Sequence, residues 1–259
     1  PLRRQRQMCI RDRVMVTLLG QNVSAYGRER GEENALSALL RRLQEVEGLE
    51  WIKFITSHPR DTGEDVFEAM RDLPKVCGYL HMPAQSGSDA VLKRMKRGYS
   101  RGEYLDKVRR LKEICPAVSI AGDFIVGFPG ETRVDFADTV SLVREVGYKN
   151  SFIFKYSPRP GTFAQRFDDD VPLDEKARRN NELLAVQKET SLAHNMGFAG
   201  RRLRVFAHSV SVKDPRELEG RTEGDEVVIF PAGREFVGSF VDVEIHDASP
   251  VALFGTMCG

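Results

Sequence analysis

Residues 123–132 read Asp-Phe-Ile-Val-Gly-Phe-Pro-Gly-Glu-Thr and are the part of the chain best suited to holding a ligand. An apolar run over residues 120–126 feeds a turn built from Gly127, Pro129 and Gly130. Glu131 and Thr132 then open an amphipathic helix marked by Phe136, Val140, Val143 and Val146. A strand that ends in a glycine turn at a helix N-terminus is how parallel α/β proteins bring a ligand against the backbone. The turn contains neither Gly-x-Gly-x-x-Gly nor Gly-Lys-Ser, which excludes the dinucleotide and P-loop readings. Glu131 is expected to cap the helix that follows it.

The cysteines limit redox and metal chemistry. Cys9, Cys77, Cys115 and Cys258 are scattered, with no C-x-x-C, no zinc pair and no cluster-binding run, so no metal ligands are expected in this chain. They read as reduced thiols of a cytoplasmic protein. Composition is that of a globular domain, 41% hydrophobic and 30% charged. No apolar run approaches the length of a membrane span and nothing resembles a secretory signal. The net charge of +1 conceals an imbalance. Residues 1–13 hold five arginines and one aspartate, a local +4 that leaves −3 for the remainder. That segment matches nothing after it and reads either as a non-native leader or as a basic arm for nucleic acid. We treat it as the leader.

The elements that must position this chemistry alternate. Strands are expected at residues 14–19, 51–56, 76–82, 118–126 and 151–156. Helices are expected at 34–46, 64–73, 104–114, 131–146 and 174–195. Polar and turn residues gather at the strand C-terminal ends: Gly20-Gln21-Asn22, Ser57-His58, Gln85-Ser86, Gly127 and Ser157. In a β/α barrel those ends share the face that carries active sites. Five units are too few to close an eightfold barrel, so an incomplete TIM-like barrel over residues 14–196 is expected. From residue 197 the period changes to two. Short strands at 202–212, 226–230, 236–240, 241–246 and 252–256 suggest a small antiparallel β-barrel of oligonucleotide-binding type. Its seven Lys/Arg against ten Asp/Glu mean that any RNA contact there uses a local patch.

Five segments together resemble the radical S-adenosylmethionine (SAM) methylthiotransferases. They are Leu-Leu-Gly-Gln-Asn-Val (18–23), Thr-Ser-His-Pro (56–59), His-Met-Pro-Ala-Gln-Ser-Gly-Ser-Asp (81–89), Ile-Val-Gly-Phe-Pro-Gly-Glu-Thr (125–132) and Tyr-Ser-Pro-Arg-Pro-Gly-Thr (156–162). Their order and spacing look like the MiaB-type branch, which methylthiolates N6-isopentenyladenosine beside the tRNA anticodon. Glu-Gly-Arg-Thr-Glu-Gly (219–224) and Gly-Ser-Phe-Val-Asp-Val-Glu-Ile (238–245) resemble the TRAM domain these enzymes carry. The resemblance implies an incomplete radical SAM barrel followed by an RNA-binding TRAM barrel over 197–259. It also implies SAM and two 4Fe–4S clusters as cofactors. The cluster that cleaves SAM requires C-x-x-x-C-x-x-C after the first barrel strand, which is absent here, so this chain alone is expected to be inactive.

The resemblance places SAM against Gly20, Gln21, Asn22, Gln85, Ser86, Ser88, Ile125, Gly127 and Phe128. Gly127 permits close approach to adenine, and Ile125 or Phe128 supplies an apolar wall. Ser88 could equally be a helix N-cap. RNA contact falls to Lys93, Arg94, Lys96, Arg97 and Arg159 near the active face and to Arg201, Arg202, Arg204 and Arg221 on the barrel. His58 reads as structural and not as an acid or base. The expected partner is tRNA, met by a monomer, with the sulfur donor unspecified. The runner-up within the family acts on threonylcarbamoyl-adenosine in tRNA or on a ribosomal protein. A non-catalytic RNA-binding module is the reading from another class.

Overall fold

The computed structural model describes residues 14–55 and 57–258. The expectations for residues 1–13 and for Thr56 lie outside them. The chain forms two compact units. One takes in the described residues up to Pro83 together with Asp106–Val118, and the other comprises Ala84–Leu105 and Ser119–Gly259.

In the first unit β1 (Met15–Leu19) and β2 (Trp51–Ile55) pair in parallel, Met15 opposite Trp51 through Leu19 opposite Ile55. The amphipathic helix α1 (Ala35–Gln44) connects them, burying Leu36 and Leu40. Helix α2 (Glu64–Asp72) buries Val66, Phe67 and Met70 in the same way. The strand expected at 76–82 contracts to β3 (Tyr79–His81). The Val76 N–H bonds back to Leu73 O and Val76 meets β2 only in an isolated bridge to Ile52, so the regular strand does not begin until Tyr79.

The second unit contains α3 (Asp89–Arg94), β4 (Ser119–Val126), α5 (Arg133–Val146), β5 (Asn150–Lys155) and α6 (Leu173–Met196). Helix α4 (Arg101–Ile114) is shared between the units. β4 and β5 run parallel from Ala121 opposite Asn150 to Val126 opposite Lys155. Glu131 does not cap α5. Thr132 does, in a capping box: its Oγ1 accepts from Asp135 N at 3.2 Å, and Asp135 accepts from Thr132 N at 2.8 Å. Asp135 is the N3 residue, one full turn after the cap, whereas Glu131 precedes the helix and turns inward.

Five further strands close a barrel: β6 (Arg202–Val210), β7 (Glu217–Arg221), β8 (Val227–Pro231), β9 (Phe240–Ala248) and β10 (Leu253–Met257). The order round the ring is β10-β8-β7-β6-β9, antiparallel throughout except for the parallel β8–β10 pair. Period-two alternation sends Val205, Ala207, Leu218, Val228, Phe230, Val243, Ile245 and Leu253 inward. Two expectations are corrected. Residues 236–240 form no strand, because Arg234–Phe236 is a 3₁₀ turn and Gly238 sits at φ +91°, so pairing begins at Phe240. β7 was not anticipated, since Leu218 and Gly220 are its only inward positions and the rest is charged or polar.

At the start of β8 the buried Glu226 collects groups from distant segments. Ser119 Oγ donates to Oε1 at 2.6 Å, His194 Nε2 lies 3.1 Å away, and Thr222 Oγ1 bonds to Oε2. Lys149 Nζ reaches the Gly224 carbonyl at 3.0 Å. A Cβ on Gly224 would sit 2.6 Å from Ser119 Oγ and from the Glu226 carboxylate, so any side chain here would displace groups of this cluster. Burial opposes the charge, but His194, Lys149, Ser119 and Thr222 outweigh it and hold the Glu226 carboxyl at about 2. The folded value lies below the unfolded one. Its stabilisation is therefore present above the usual 4.5 and is lost as pH falls towards 2. Equilibrium unfolding as a function of pH is expected to show stability falling through that window. Glu226→Gln should be less stable at neutral pH and should flatten the acid limb.

Candidate functional site

The second unit contains a cavity of roughly 650 Å³ at the C-terminal ends of β4 and β5. That size suits a nucleoside or a small cofactor. Parallel register places Asp123, Ile125, Phe152 and Phe154 on one face of the β4–β5 pair, and three of these four line the cavity. Phe128 and Tyr156 continue the wall with ring centroids 5.0 Å apart, edge to face. The Tyr156 hydroxyl donates to Ala164 O at 3.2 Å, fixing the loop that carries Phe163. Lys96 Nζ lies 3.4 Å over the Phe163 ring, a cation–π contact. Arg94, Lys96, Arg97, Lys155 and Arg159 also line the cavity, against the single carboxylate of Asp123. Arg94 Nε is buried without a hydrogen-bond partner. Gln85 and Lys96, both on the lining, adopt φ of +71° and +56°. Non-glycine residues in the left-handed region concentrate at functional sites.

The glycine turn forms one wall through its neighbours. Gly127 has φ +68°, and its N–H donates to Glu131 Oε2 at 2.6 Å. Arg179 Nη1 reaches the same oxygen at 2.7 Å. Burial pushes the Glu131 carboxyl up, and the Arg179 and Gly127 bonds only partly offset it. Lys176, 1% exposed, lies against Gly127 and bonds both oxygens of Asp169, at 2.5 and 2.7 Å. The close approach that Gly127 permits is therefore that of the Lys176 stem, and Gly127 itself is not on the cavity wall.

Of the residues singled out from sequence, the cavity brings together Gln85, Ile125, Phe128, Arg94, Lys96, Arg97 and Arg159. Ser86 and Ser88 are buried and do not line it. Ser86 shares a hydrogen bond with Thr139 at 3.3 Å, and Ser88 bonds Asp135 and caps α3 through Val91 N. Lys93 is exposed on α3 and off the cavity. Gly20, Gln21 and Asn22 belong to the first unit, where both ends of the Asn22 amide are used. Its Oδ1 accepts from His58 N at 3.2 Å, and its Nδ2 donates to Asp61 at 2.6 Å. His58 is held by this loop network, with its Nδ1 accepting from Arg60 N at 3.3 Å. On the barrel Arg204 stacks over Phe240 at 4.2 Å, Arg202 pairs with Asp242 at 2.7 Å, and Arg221 pairs with Asp225 at 3.3 Å. Arg201 lies 5.3 Å from the Phe198 ring.

Sequence reasoning missed Lys176 and Arg179, which fall within the helix expected at 174–195. A signal existed: both fall at helical spacing on the stripe that continues with Leu183 and Val186. Phe154, Lys155 and Phe163 gave none, because an exposed aromatic or lysine on an edge strand or loop carries no periodicity.

The β/α core and the closed five-stranded barrel correspond to two separate family matches. Residues 2–143 match the radical SAM superfamily and residues 199–258 the TRAM domain. The chain belongs to the radical SAM superfamily. It is 45% identical over 251 residues to the tRNA-2-methylthio-N(6)-dimethylallyladenosine synthase of Rhodopirellula baltica, covering 93% of this chain and 52% of that protein. The synthases of that name from Geobacter sulfurreducens and Clostridium botulinum are 45% and 43% identical over 240 residues, again 93% of this chain, and 54% and 53% of theirs. The chain thus spans about half the length of these relatives. Among solved structures, coproporphyrinogen III oxidase (HemN) from Escherichia coli, a radical SAM enzyme, aligns over 81% of this chain and 54% of its own, with TM-score 0.54 and 18% identity. It shares the fold.

Gly127→Ala forces a β-carbon into the Lys176 stem at a left-handed φ. It is expected to cost about 1–3 kcal/mol in chemical denaturation. Combined with Lys176→Ala it should cost less than the sum of the two single changes.

Proposed function

We propose that this chain is the SAM- and RNA-handling part of a tRNA methylthiotransferase that acts on N6-isopentenyladenosine beside the anticodon. The cavity carries the reading, because it combines two chemistries. Ile125, Phe128 and Tyr156 form an apolar, aromatic wall suited to an adenine ring, with Gln85 beside it for a polar edge. Lys96, Arg97, Lys155 and Arg159 give the rim an excess of positive charge. SAM carries a cationic sulfonium and does not call for that excess, whereas RNA phosphates do. Adenine-side binding of the cofactor is assigned to the wall, and phosphate binding to the rim. Arg94, with its buried Nε lacking a partner, is suited to an acceptor of either ligand. The barrel contributes through Arg201, Arg204 and Phe240.

When bound, SAM would supply the radical that the family uses. What these residues do is hold its adenosyl part against the aromatic wall and orient the RNA at the charged rim. Asn22 acts by holding the His58 loop. The described residues do not fit an iron–sulfur cluster. No group of three or more His, Cys, Asp or Glu among them could hold a metal, and Cys77, Cys115 and Cys258 are dispersed in the sequence. No step is therefore assigned to a cluster on these residues. The two 4Fe–4S clusters of the reading belong to ligands that the 259 residues do not include. A cytoplasmic, monomeric protein is the setting proposed. Among the described residues no helix is long and apolar enough to cross a membrane.

Equilibrium binding tests this assignment. Phe128→Ala should weaken SAM about tenfold and leave tRNA affinity nearly unchanged. Lys96→Ala with Arg159→Ala should weaken tRNA and lower the salt slope of its binding by about 2. If both variants affect both ligands alike, the division of the cavity is wrong. Anaerobic iron–sulfide reconstitution of the 259-residue chain should yield no cluster absorbance and no SAM cleavage.

A further inference from the structure

The Glu226 cluster ties the barrel to the core at a defined distance from the cavity, and two rods measure that distance. β4 begins at Ser119, whose hydroxyl meets Glu226, and ends at Val126, one residue before the glycine turn. Eight residues of strand span about 25 Å. α6 gives the second measure. Lys176 packs on Gly127, and His194, eighteen residues later on the same helix, meets Glu226. Eighteen helical residues rise about 27 Å. Lys149 adds a third grip immediately before β5, whose far end also lines the cavity. β4 and β5, whose far ends line the cavity, and α6, which packs on the glycine turn, are thus held at the other end by residues 222–226 of the barrel. The carboxylate at the centre is 3% exposed. A surface ion pair would leave the barrel free to rotate on its linker, but a buried charge cannot lose its partners without a large desolvation cost.

We propose that Glu226 is a positioning residue that fixes the barrel's Arg204–Phe240 face at a set span from the cavity, so that one folded RNA engages both sites at once. The proposal rests on the RNA reading above. Two weak contacts held at a fixed spacing act as one strong one for a ligand long enough to bridge them. They give no such gain to a ligand that reaches only one.

The test uses the full chain and two RNA probes, a hairpin with a stem of one helical turn and a five-nucleotide single strand. Wild type should bind the hairpin far more tightly. Glu226→Ala should weaken the hairpin about tenfold or more and leave the short strand within about twofold, with Glu226→Gln between them. Thermal melting checks folding. If Glu226→Ala does not fold, Ser119→Ala, which removes a single donor, should weaken the hairpin about threefold with the same selectivity. Unchanged hairpin affinity, or equal loss for both RNAs, overturns the positioning role. If wild type binds neither RNA, the RNA reading falls and takes this proposal with it. Tight hairpin binding by wild type and by the variants alike removes the proposal alone.

Discussion

Two cations on one helix hold the glycine turn after β4 in place. Lys176 and Arg179 lie where a hydrophobic stripe would ordinarily bury leucines, and each is paired with acids: Lys176 with Asp169 in the loop before α6, Arg179 with Glu131 of the turn and with Glu175 on its own helix. Buried pairs of this kind add little net stability compared with apolar packing. They specify geometry instead. Glu131 accepts from Gly127 N–H and Arg179 at the same oxygen, so the turn has one low-energy arrangement relative to α6. The backbone of Phe128 follows from that, and with it the aromatic wall through Tyr156 and Phe167.

The same residues explain what could be read from sequence and what could not. Apolar periodicity located all five core strands and most helix bounds, because burial on one face leaves a repeating trace. β3 shortened where local turn bonds competed with the ladder, a contest in which periodicity carries no weight. β7 escaped because a small barrel asks only two inward residues of it, and one is glycine. The glycine turn was legible as a feature, but its reason was not. Sequence suggested that Gly127 makes room for a ligand, yet the space is filled by a lysine from α6. Long-range partners such as Ser119 with Glu226, separated by 107 positions, leave no local signal at all.

The cavity's two chemistries sit on different kinds of structure. The apolar wall stands on β4 and on the turn after it, both fixed by hydrogen bonds on either side. The cations come mostly from loops and a short helix, where Lys96 and Gln85 occupy strained backbone. A rigid wall suits a small ligand of constant shape. A rim on loops can adjust to a larger one, and Lys96 already spends its charge on the Phe163 ring until an anion competes for it.

The parallel junction of β8 with β10 has a consequence for how the barrel comes apart. β10 completes the ring, lying between β8 and β9. Here its release would open two unpaired margins together and wet the interior around Leu253, which is fully buried. β10 is therefore a keystone. The barrel should open all at once, and the grip that residues 222–226 exert on the core persists only while β10 stays paired on both sides.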